Sequence, residues 1–391
     1  MGITILFFLL SAAFFYLIIT SFILIRNRFE LTELPELPAK NEQSKFISVC
    51  IPARNEEENI GNLLQTVLTQ NYPDFEVRVL DDHSTDKTPE ILQRFKKEYP
   101  NTFYIHNGEP KPENWLGKPW ACQQLGNSAK GDIFLFLDSD TQLEENALEK
   151  VANGFKHYQL DMLTVWPKQL LGSFWEKTVI PLVYYALLTI LPTIYVYRKP
   201  RWMPSIIYKS IRANFAAANG QCIAFTKSAY KIIDGHRSVK NEIVEDVALA
   251  KQIKMAGLQL RMFTGLQLIR CRMYQSERDM FEGFRKNFLA GFGNSLTVFI
   301  IAALLHLAVF ILPFLVLAGQ LFGYNPLLFF LSSAIVSLIY LQRLTISRWF
   351  QWDPLYVFLH PLGVMWFQRL GIIKIFDKLL GRKATWKGRR I

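Results

Sequence analysis

Apolar and polar positions follow two regimes along the chain. Residues 3–25, 173–197, 296–341 and 354–376 are dense in apolar side chains, whereas residues 40–165 mix apolar and polar positions as a soluble domain does. Within the mixed stretch the periodicity switches repeatedly. Phe46–Pro52, Phe75–Leu80, Thr102–His106 and Ile133–Leu137 are apolar runs of strand length. Between them, Glu56–Thr69 places Ile60, Leu63, Leu64 and Val67 on one helical face, Thr88–Pro89 starts a helix to Lys97, and Lys118–Ala129 is helical. This alternation predicts an α/β domain with a mostly parallel sheet, helices on both faces, and ligands bound beyond the carboxyl ends of the strands. Asn55, Asp82 and Asp138 fall at those ends. Further on, Asn219–Thr226 predicts a strand, Lys227–Ile233 and Val244–Met255 helices, Leu258–Phe263 and Leu266–Met273 two short strands, and Arg278–Leu289 a helix.

The apolar regime predicts membrane segments. Residues 2–25 carry no charge and are long enough to span a bilayer. Arg26 and Arg28 follow the run, so an uncleaved anchor with its N-terminus outside is expected, not a secretory signal. Residues 29–43, with Pro35 and Pro38, read as a linker. Residues 178–197 are also uncharged, but a crossing there would put Asp140 and Asp246 on opposite sides of the membrane, and Pro181 and Pro192 interrupt the run. With Arg198, Lys199, Arg201, Trp202, Lys209 and Arg212 behind it, 173–212 is expected to lie in the interface or to be re-entrant. Leu296–Ala318 and Tyr324–Leu341 predict a hairpin of two spans, and the flanking Arg285, Lys286, Arg343 and Arg348 place both of its ends in the cytoplasm. Pro354–Gln368 is followed by Arg369, Lys374 and a tail bearing Lys378, Arg382, Lys383, Lys387, Arg389 and Arg390, which favours a re-entrant or surface segment over a fourth span.

Composition adds two exclusions. The 391 residues are 50% hydrophobic and carry a net charge of +11. No nucleic-acid module accompanies that charge, and the basic residues flank apolar segments, so a membrane partner is expected and no nucleic acid. Cys50, Cys122, Cys222 and Cys271 lack metal-ligand spacing and read as reduced core thiols.

The stretch Gly131–Asp140, GDIFLFLDSD, organises the rest. A buried strand ends there in Asp138 and Asp140, and side chains at i and i+2 of an extended strand point the same way. Two such carboxylates suit one hard divalent cation, Mg2+ or Mn2+, which neutralises a diphosphate leaving group. Asp82 either belongs to an Asx turn capping the next helix or accepts hydrogen bonds from a nucleobase or ribose. Glu245 and Asp246 begin a helix, where carboxylates complement the dipole; the sharper reading makes Asp246 a general base for an acceptor hydroxyl. Lys118 is either solvated or meets a phosphate or base. His83, His106 and His236 read as turn or structural residues, and His306 and His360 as facing helix neighbours or an acceptor path.

Taken together, SVCIPARNEEENIG (48–61), VRVLDDHSTDKT (77–88), GKPWAC (117–122), FLFLDSD (134–140), NGQC (219–222) and EDVALAKQI (245–253) resemble a family-2 glycosyltransferase of the Rossmann-like GT-A fold, over about residues 45–290. The resemblance implies that Pro52, Ala53, Asn55, Glu57, Asp82, Lys118 and Asp138 line the nucleotide-sugar site, with Gly220 beside them. It implies that Asp138 and Asp140 form the Asp-Xaa-Asp metal motif. It makes Asp246, next to Glu245, the base of an inverting displacement, and puts Gln221, Arg285 and Lys286 on the acceptor and membrane side. Processive polysaccharide synthases carry Gln-Xaa-Xaa-Arg-Trp where this chain has MYQSERDMFEGFRKN (273–287). That stretch, WLGKPWAC and the terminal TWKGRR are similar to membrane glycosyltransferases of bacterial carotenoid pathways, of the chlorobactene glucosyltransferase and diaponeurosporenoate glycosyltransferase type.

The expected organisation is an N-terminal transmembrane anchor (1–28), a nucleotide-sugar-binding half (45–172), an interfacial segment (173–212), an acceptor and catalytic half (213–295), a transmembrane hairpin (296–342), and a re-entrant or transmembrane segment with a basic cytoplasmic tail (343–391). The expected activity is transfer of a hexose, glucose from UDP-glucose, to a carotenoid hydroxyl or carboxylate by a multi-pass protein of the cell membrane whose catalytic domain is cytoplasmic. Alternatives are another lipid acceptor (hopanoid, glycerolipid, ceramide-like lipid or polyprenyl phosphate) and a processive synthase.

Overall fold

The apolar runs of the first half form a parallel sheet. β1 (Ile47–Ala53), β2 (Phe75–Asp81), β3 (Phe103–Asn107) and β4 (Ile133–Leu137) pair in parallel in the order β3-β2-β1-β4, in which β1, β2 and β4 are buried on both faces and β3 is the edge. Val49 sits opposite both Val77 and Leu135. The helical face read from the sequence, Ile60, Leu63, Leu64 and Val67, is fully buried against these strands. That helix begins at Ile60 and not at Glu56. Asn55 adopts the left-handed φ of 52°, and the N–H groups of Glu56 and Glu57 donate to Thr88 and Asp86.

The computed structural model describes residues 2–36, 44–293, 295–380, 385–386 and 389–390. Pro38 of the expected linker and Arg382, Lys383 and Lys387 of the basic tail lie outside the described residues. The chain divides into two units. One comprises Glu30–Leu170 and Thr193–Met273; the other comprises Met1–Phe29, Leu171–Pro192 and Tyr274–Ile391. Residues 173–212 are therefore shared between the two units.

The first unit holds the eight-stranded sheet. Four further strands extend it: β5 (Thr141–Leu143), β6 (Met162–Gln169), β7 (Cys222–Thr226) and β8 (Leu260–Cys271), giving the order β3-β2-β1-β4-β7-β6-β8-β5. β7 runs antiparallel to both β4 and β6, while β6 and β8 are parallel. The sheet is mixed and mostly parallel, as expected. Three elements were not foreseen: β5, β6 and the helix Ala147–Tyr158. The two short strands expected around Gly265 are one strand with a break in register. Pro167 pairs with Gly265, and the next residue, Lys168, pairs with Arg270. A Cβ on Gly265 would stand 2.4 Å from Val165 Cγ1, so this glycine permits close strand approach where the sequence suggested a stop.

The second unit is helical. Gly2–Glu30, Leu296–Gly319 and Pro326–Trp349 are long and apolar enough to cross a membrane. The second is broken at Ile311, just before Pro313. Phe174–Ile190 starts with a capping box between Ser173 and Glu176, and His360–Leu379 follows a 3-10 turn at Pro354–Leu359. These helices approach closely at glycines: a Cβ on Gly371 would meet the Phe299 ring at 2.3 Å.

Candidate active site

The carboxyl ends of β1, β2 and β4 lie side by side because these strands are parallel neighbours. β7 reverses direction next to β4, so it starts where β4 ends, and the Asp138 N–H donates to the Gln221 carbonyl at 3.3 Å. This single reversal brings Gly220, and through it Asp246, to the strand ends that carry Asp138.

At the ends of β1 and β2 the side chains mostly shape a loop. Asn55 Oδ1 accepts from the Thr85 N–H at 2.8 Å, its own N–H donates to Ser84 Oγ at 2.9 Å, and Glu57 Oε2 accepts from the Lys87 N–H at 3.0 Å. Ala53 accepts from the Asp82 N–H at 2.8 Å, and Arg54 donates to the Asp82 carbonyl at 2.5 Å. The Asx turn belongs to Asp81, whose Oδ1 accepts from the Ser84 N–H at 3.0 Å. Asp82 is held by its backbone at the strand end.

Lys118 sits in the first turn of the helix Gly117–Ser128, with its ammonium 2.6 Å from Asp138 Oδ1 and 2.9 Å from Glu245 Oε1. Burial alone would lower its pKa, but Asp138 and Glu245 hold it well above the ordinary lysine value. Burial would raise Glu245, and Lys118 outweighs it and keeps that carboxyl below its usual range. Asp138 is raised, by burial first. Lys118 is thus a bridge between two carboxylates on separate elements.

Asp246 accepts twice from backbone, Oδ2 from the Gly220 N–H at 2.7 Å and Oδ1 from the Val247 N–H at 2.8 Å. Burial, then the neighbouring Glu245 charge, pushes its carboxyl up to about 7. A Cβ on Gly220 would stand 3.3 Å from Asp246 Cβ, so the absence of a side chain there leaves the carboxylate its place. Asp140 is pushed up to about 7 by burial, then by Asp138 and Glu56. Its Oδ1 is buried and has no hydrogen-bond partner among the described residues.

Pro52, Lys118, Asp138, Gly220, Glu245 and Asp246 line one cleft, with Cys122, Phe136, Leu137, Ile223, His236 and Leu249 as the rest of its wall. The sequence reading missed this second set. Cys122 was legible, one helical turn beyond Lys118, and Leu249 likewise follows Glu245. His236 had no signal. It is buried, with Nδ1 2.8 Å from the Tyr230 hydroxyl, and burial lowers its pKa to about 3, so it is a neutral wall residue.

The three residues expected on the acceptor and membrane side are not among the cleft lining. Gln221 is only 3% exposed, and its carboxamide is spent on Gln169 and Cys271. That corrects its placement on an open acceptor side. Arg285 and Lys286 lie on the helix Glu277–Asn287 of the helical unit, where Arg285 grips Asp377 with two hydrogen bonds of 2.7 and 2.5 Å.

Among the described residues no group of three or more His, Cys, Asp or Glu side chains is arranged to hold a metal. The pair Asp138 and Asp140 nevertheless fits a hard divalent cation. Both offer carboxylate oxygen, and the unpartnered, buried Oδ1 of Asp140 is an acceptor without a donor.

Residues 48–230 match the family described as Glycosyl transferase family 2. The chain is 29% identical over 255 residues to the 4,4'-diaponeurosporenoate glycosyltransferase of Staphylococcus haemolyticus, a match covering 64% of this chain and 63% of that relative. It is 27% identical over 369 residues to the enzyme of the same name from Staphylococcus aureus, covering 91% of each. In structure it is similar to the mannosyltransferase PcManGT of Pyrobaculum calidifontis, solved with GDP-Man and Mn2+. The TM-score is 0.55 at 16% identity, covering 92% of this chain and 98% of that one. That likeness establishes the GT-A-like fold. The family match runs from β1 into the helix after β7, and so takes in the strand ends from Pro52 to Gln221; over residues 48–230 the chain is a family-2 glycosyltransferase domain.

Proposed function

We propose that the chain transfers one hexose, glucose from UDP-glucose, to an apolar acceptor of carotenoid type, with inversion at the anomeric carbon. The observation that carries this reading is the Asp246 carboxylate, fixed by two backbone N–H groups in the same cleft as the Lys118-bridged Asp138 and Glu245. The acceptor class is supported by the names of the staphylococcal relatives. Membrane association is supported by three helices of spanning length and composition, and we place the sheet unit on the cytoplasmic side.

The residues act as follows. Pro52, Ala53, Asn55, Glu57, Asp82 and Gly220 shape the donor end of the cleft. Lys118 holds Asp138 and Glu245 apart as charges and supplies a cation near the donor diphosphate. Asp138 and Asp140 would hold Mg2+ or Mn2+, which neutralises charge on the departing nucleoside diphosphate. Asp246 takes the proton of an acceptor hydroxyl as its oxygen attacks the sugar; Glu245 sets its charge environment. No protein nucleophile is needed, and a single displacement inverts. A carboxylate acceptor is the second reading, because the relatives' name denotes one. Such an acceptor is already ionised and does not need Asp246.

The test is turnover in membranes holding the protein, with UDP-glucose, Mn2+ or Mg2+, and either a hydroxylated or a carboxylated carotenoid, with and without EDTA. A glucosylated carotenoid that disappears with EDTA is expected. UDP release with neither carotenoid glucosylated moves the acceptor to another lipid; no UDP release from UDP-glucose overturns the donor.

A further inference from the structure

The helical unit contains a buried cation with no counter-ion among the described residues. Arg343 lies in the helix Pro326–Trp349, is 1% exposed, and its Nε and Nη1 have no hydrogen-bond partner among the described residues. His360, at the start of the helix His360–Leu379, is 0% exposed, and neither of its ring nitrogens has a partner there. A neutral imidazole always carries one N–H, so at least one donor of His360 is also unspent. Guanidinium stays protonated in proteins, and an unpaired buried charge is among the costliest groups a fold can hold.

Arg343 interacts electrostatically with His360 and with Tyr185, and the groups around them cannot supply the missing charge. The rings of Tyr185 and Phe310 stand 5.5 and 5.2 Å from His360, and 5.7 Å from each other. The Tyr185 hydroxyl donates to Gln342 Oε1 at 2.5 Å, and Gln342 Nε2 donates to Leu17, Thr20 and Ser21. The carboxylates of this unit are engaged elsewhere: Glu176 in its capping box, Glu277 with Arg369, Glu282 with Arg278, Asp353 capping Leu355, Asp377 with Arg285. Asp279 lies in the first turn of the helix Glu277–Asn287 and pairs with no arginine among the described residues. Two arginines of the sheet unit make the contrast. Arg54 and Arg78 also leave Nε unbonded, yet Arg54 donates to the Asp82 carbonyl and Arg78 to Glu76.

We propose that Arg343 and His360 form a binding site for the oxyanion head, carboxylate or phosphate, of a lipid-chain molecule. The guanidinium fork presents parallel N–H donors to two oxygens of one oxyanion, and His360 supplies a further donor. The source is a lipid and not a free anion, because the site lies among helices of membrane length lined by aromatic rings. A small solvated anion would have to shed its water to enter, whereas a lipid head arrives with its tail already in the apolar phase. The site stands apart from the glycosyl-transfer reading, as it lies wholly within the helical unit.

The test uses the full chain, purified in neutral detergent and stripped of lipid, with labelled oleate and dioleoyl phosphatidic acid as probes. One of the two binds saturably, at about one per chain, and Arg343→Gln weakens that binding about tenfold or more. Arg343→Lys, which keeps the charge and loses the fork, falls between. Where Arg343→Gln does not unfold cooperatively, His360→Phe serves as the second variant, with the loss expected in the same direction. Equal binding in all variants, or none in the wild type, overturns the site. Displacement of the probe by acetate or inorganic phosphate as readily as by unlabelled lipid overturns the lipid assignment.

Discussion

The two units handle buried charge in opposite ways. In the sheet unit, cations meet anions: Arg78 is 2.8 Å from Glu76, two residues before it on β2, and Lys118 lies between Asp138 and Glu245. In the helical unit, Arg285 has Asp377, but Arg343 pairs with no anion among the described residues. A bridged cation is neutral bookkeeping within the protein and leaves the neighbouring carboxylates poised. An unbridged one is an open valence that something outside the chain must fill. The same contrast runs through the carboxylates of the sheet unit. Glu245 has Lys118 and is held low, while Asp246 and Asp140 are left to burial and pushed up to about 7.

That difference can be broken experimentally. The largest effect is expected from Asp246→Asn. With a hydroxyl acceptor it should cut turnover by roughly 10²–10⁴-fold while leaving UDP-glucose binding nearly intact. The wild type should lose rate as pH falls below about 7, because the proton-accepting form of Asp246 is then depleted, and the variant should lose that limb. Unchanged turnover in a pre-steady-state assay would remove Asp246 as the base and favour an acceptor that is already ionised. Next, Asp140→Ala should abolish most of the metal-dependent gain in UDP affinity, about tenfold or more, read by calorimetry with Mn2+ and with EDTA. An equal gain in both proteins would sink the metal pairing. The smallest effect sharpens the helical side of the comparison. Arg285→Met strips Asp377 of its two-pronged partner and should cost about 2 kcal/mol of stability. A thermal midpoint matching the wild type would show that Asp377 finds another donor.

Much of the strand-end part of the candidate site could be read from the sequence, because strand periodicity and strand-end carboxylates are local signals. Ile133–Leu137 followed by Asp138 and Asp140 needed only a window of ten residues. What stayed hidden depended on distant partners. β6, MLTVWPKQ, contains Pro167, which argues against an interior strand, yet it pairs with both β7 and β8. Its proline coincides with the register break that lets the ladder absorb it. Gly265 looked like the end of a strand because the close approach of Val165 is invisible in one dimension. The partners of Gln221 and Arg285, Gln169 with Cys271 and Asp377, were hidden for the same reason: they lie far away in sequence. Arg343 read as a flanking positive charge; only packing shows it to be buried.

The reversal at β7 also has a consequence in time. The cleft joins Asp138, Gly220 and Asp246, and between the first two the chain inserts Phe174–Ile190, which belongs to the helical unit. A chain made from its N-terminus therefore contains the parallel strands β1–β4 well before it contains the full set of cleft residues. By the time residue 246 has been synthesised, Gly2–Glu30 and Phe174–Ile190 have already been made. The order of synthesis thus keeps the nascent protein inert until two of its helices exist.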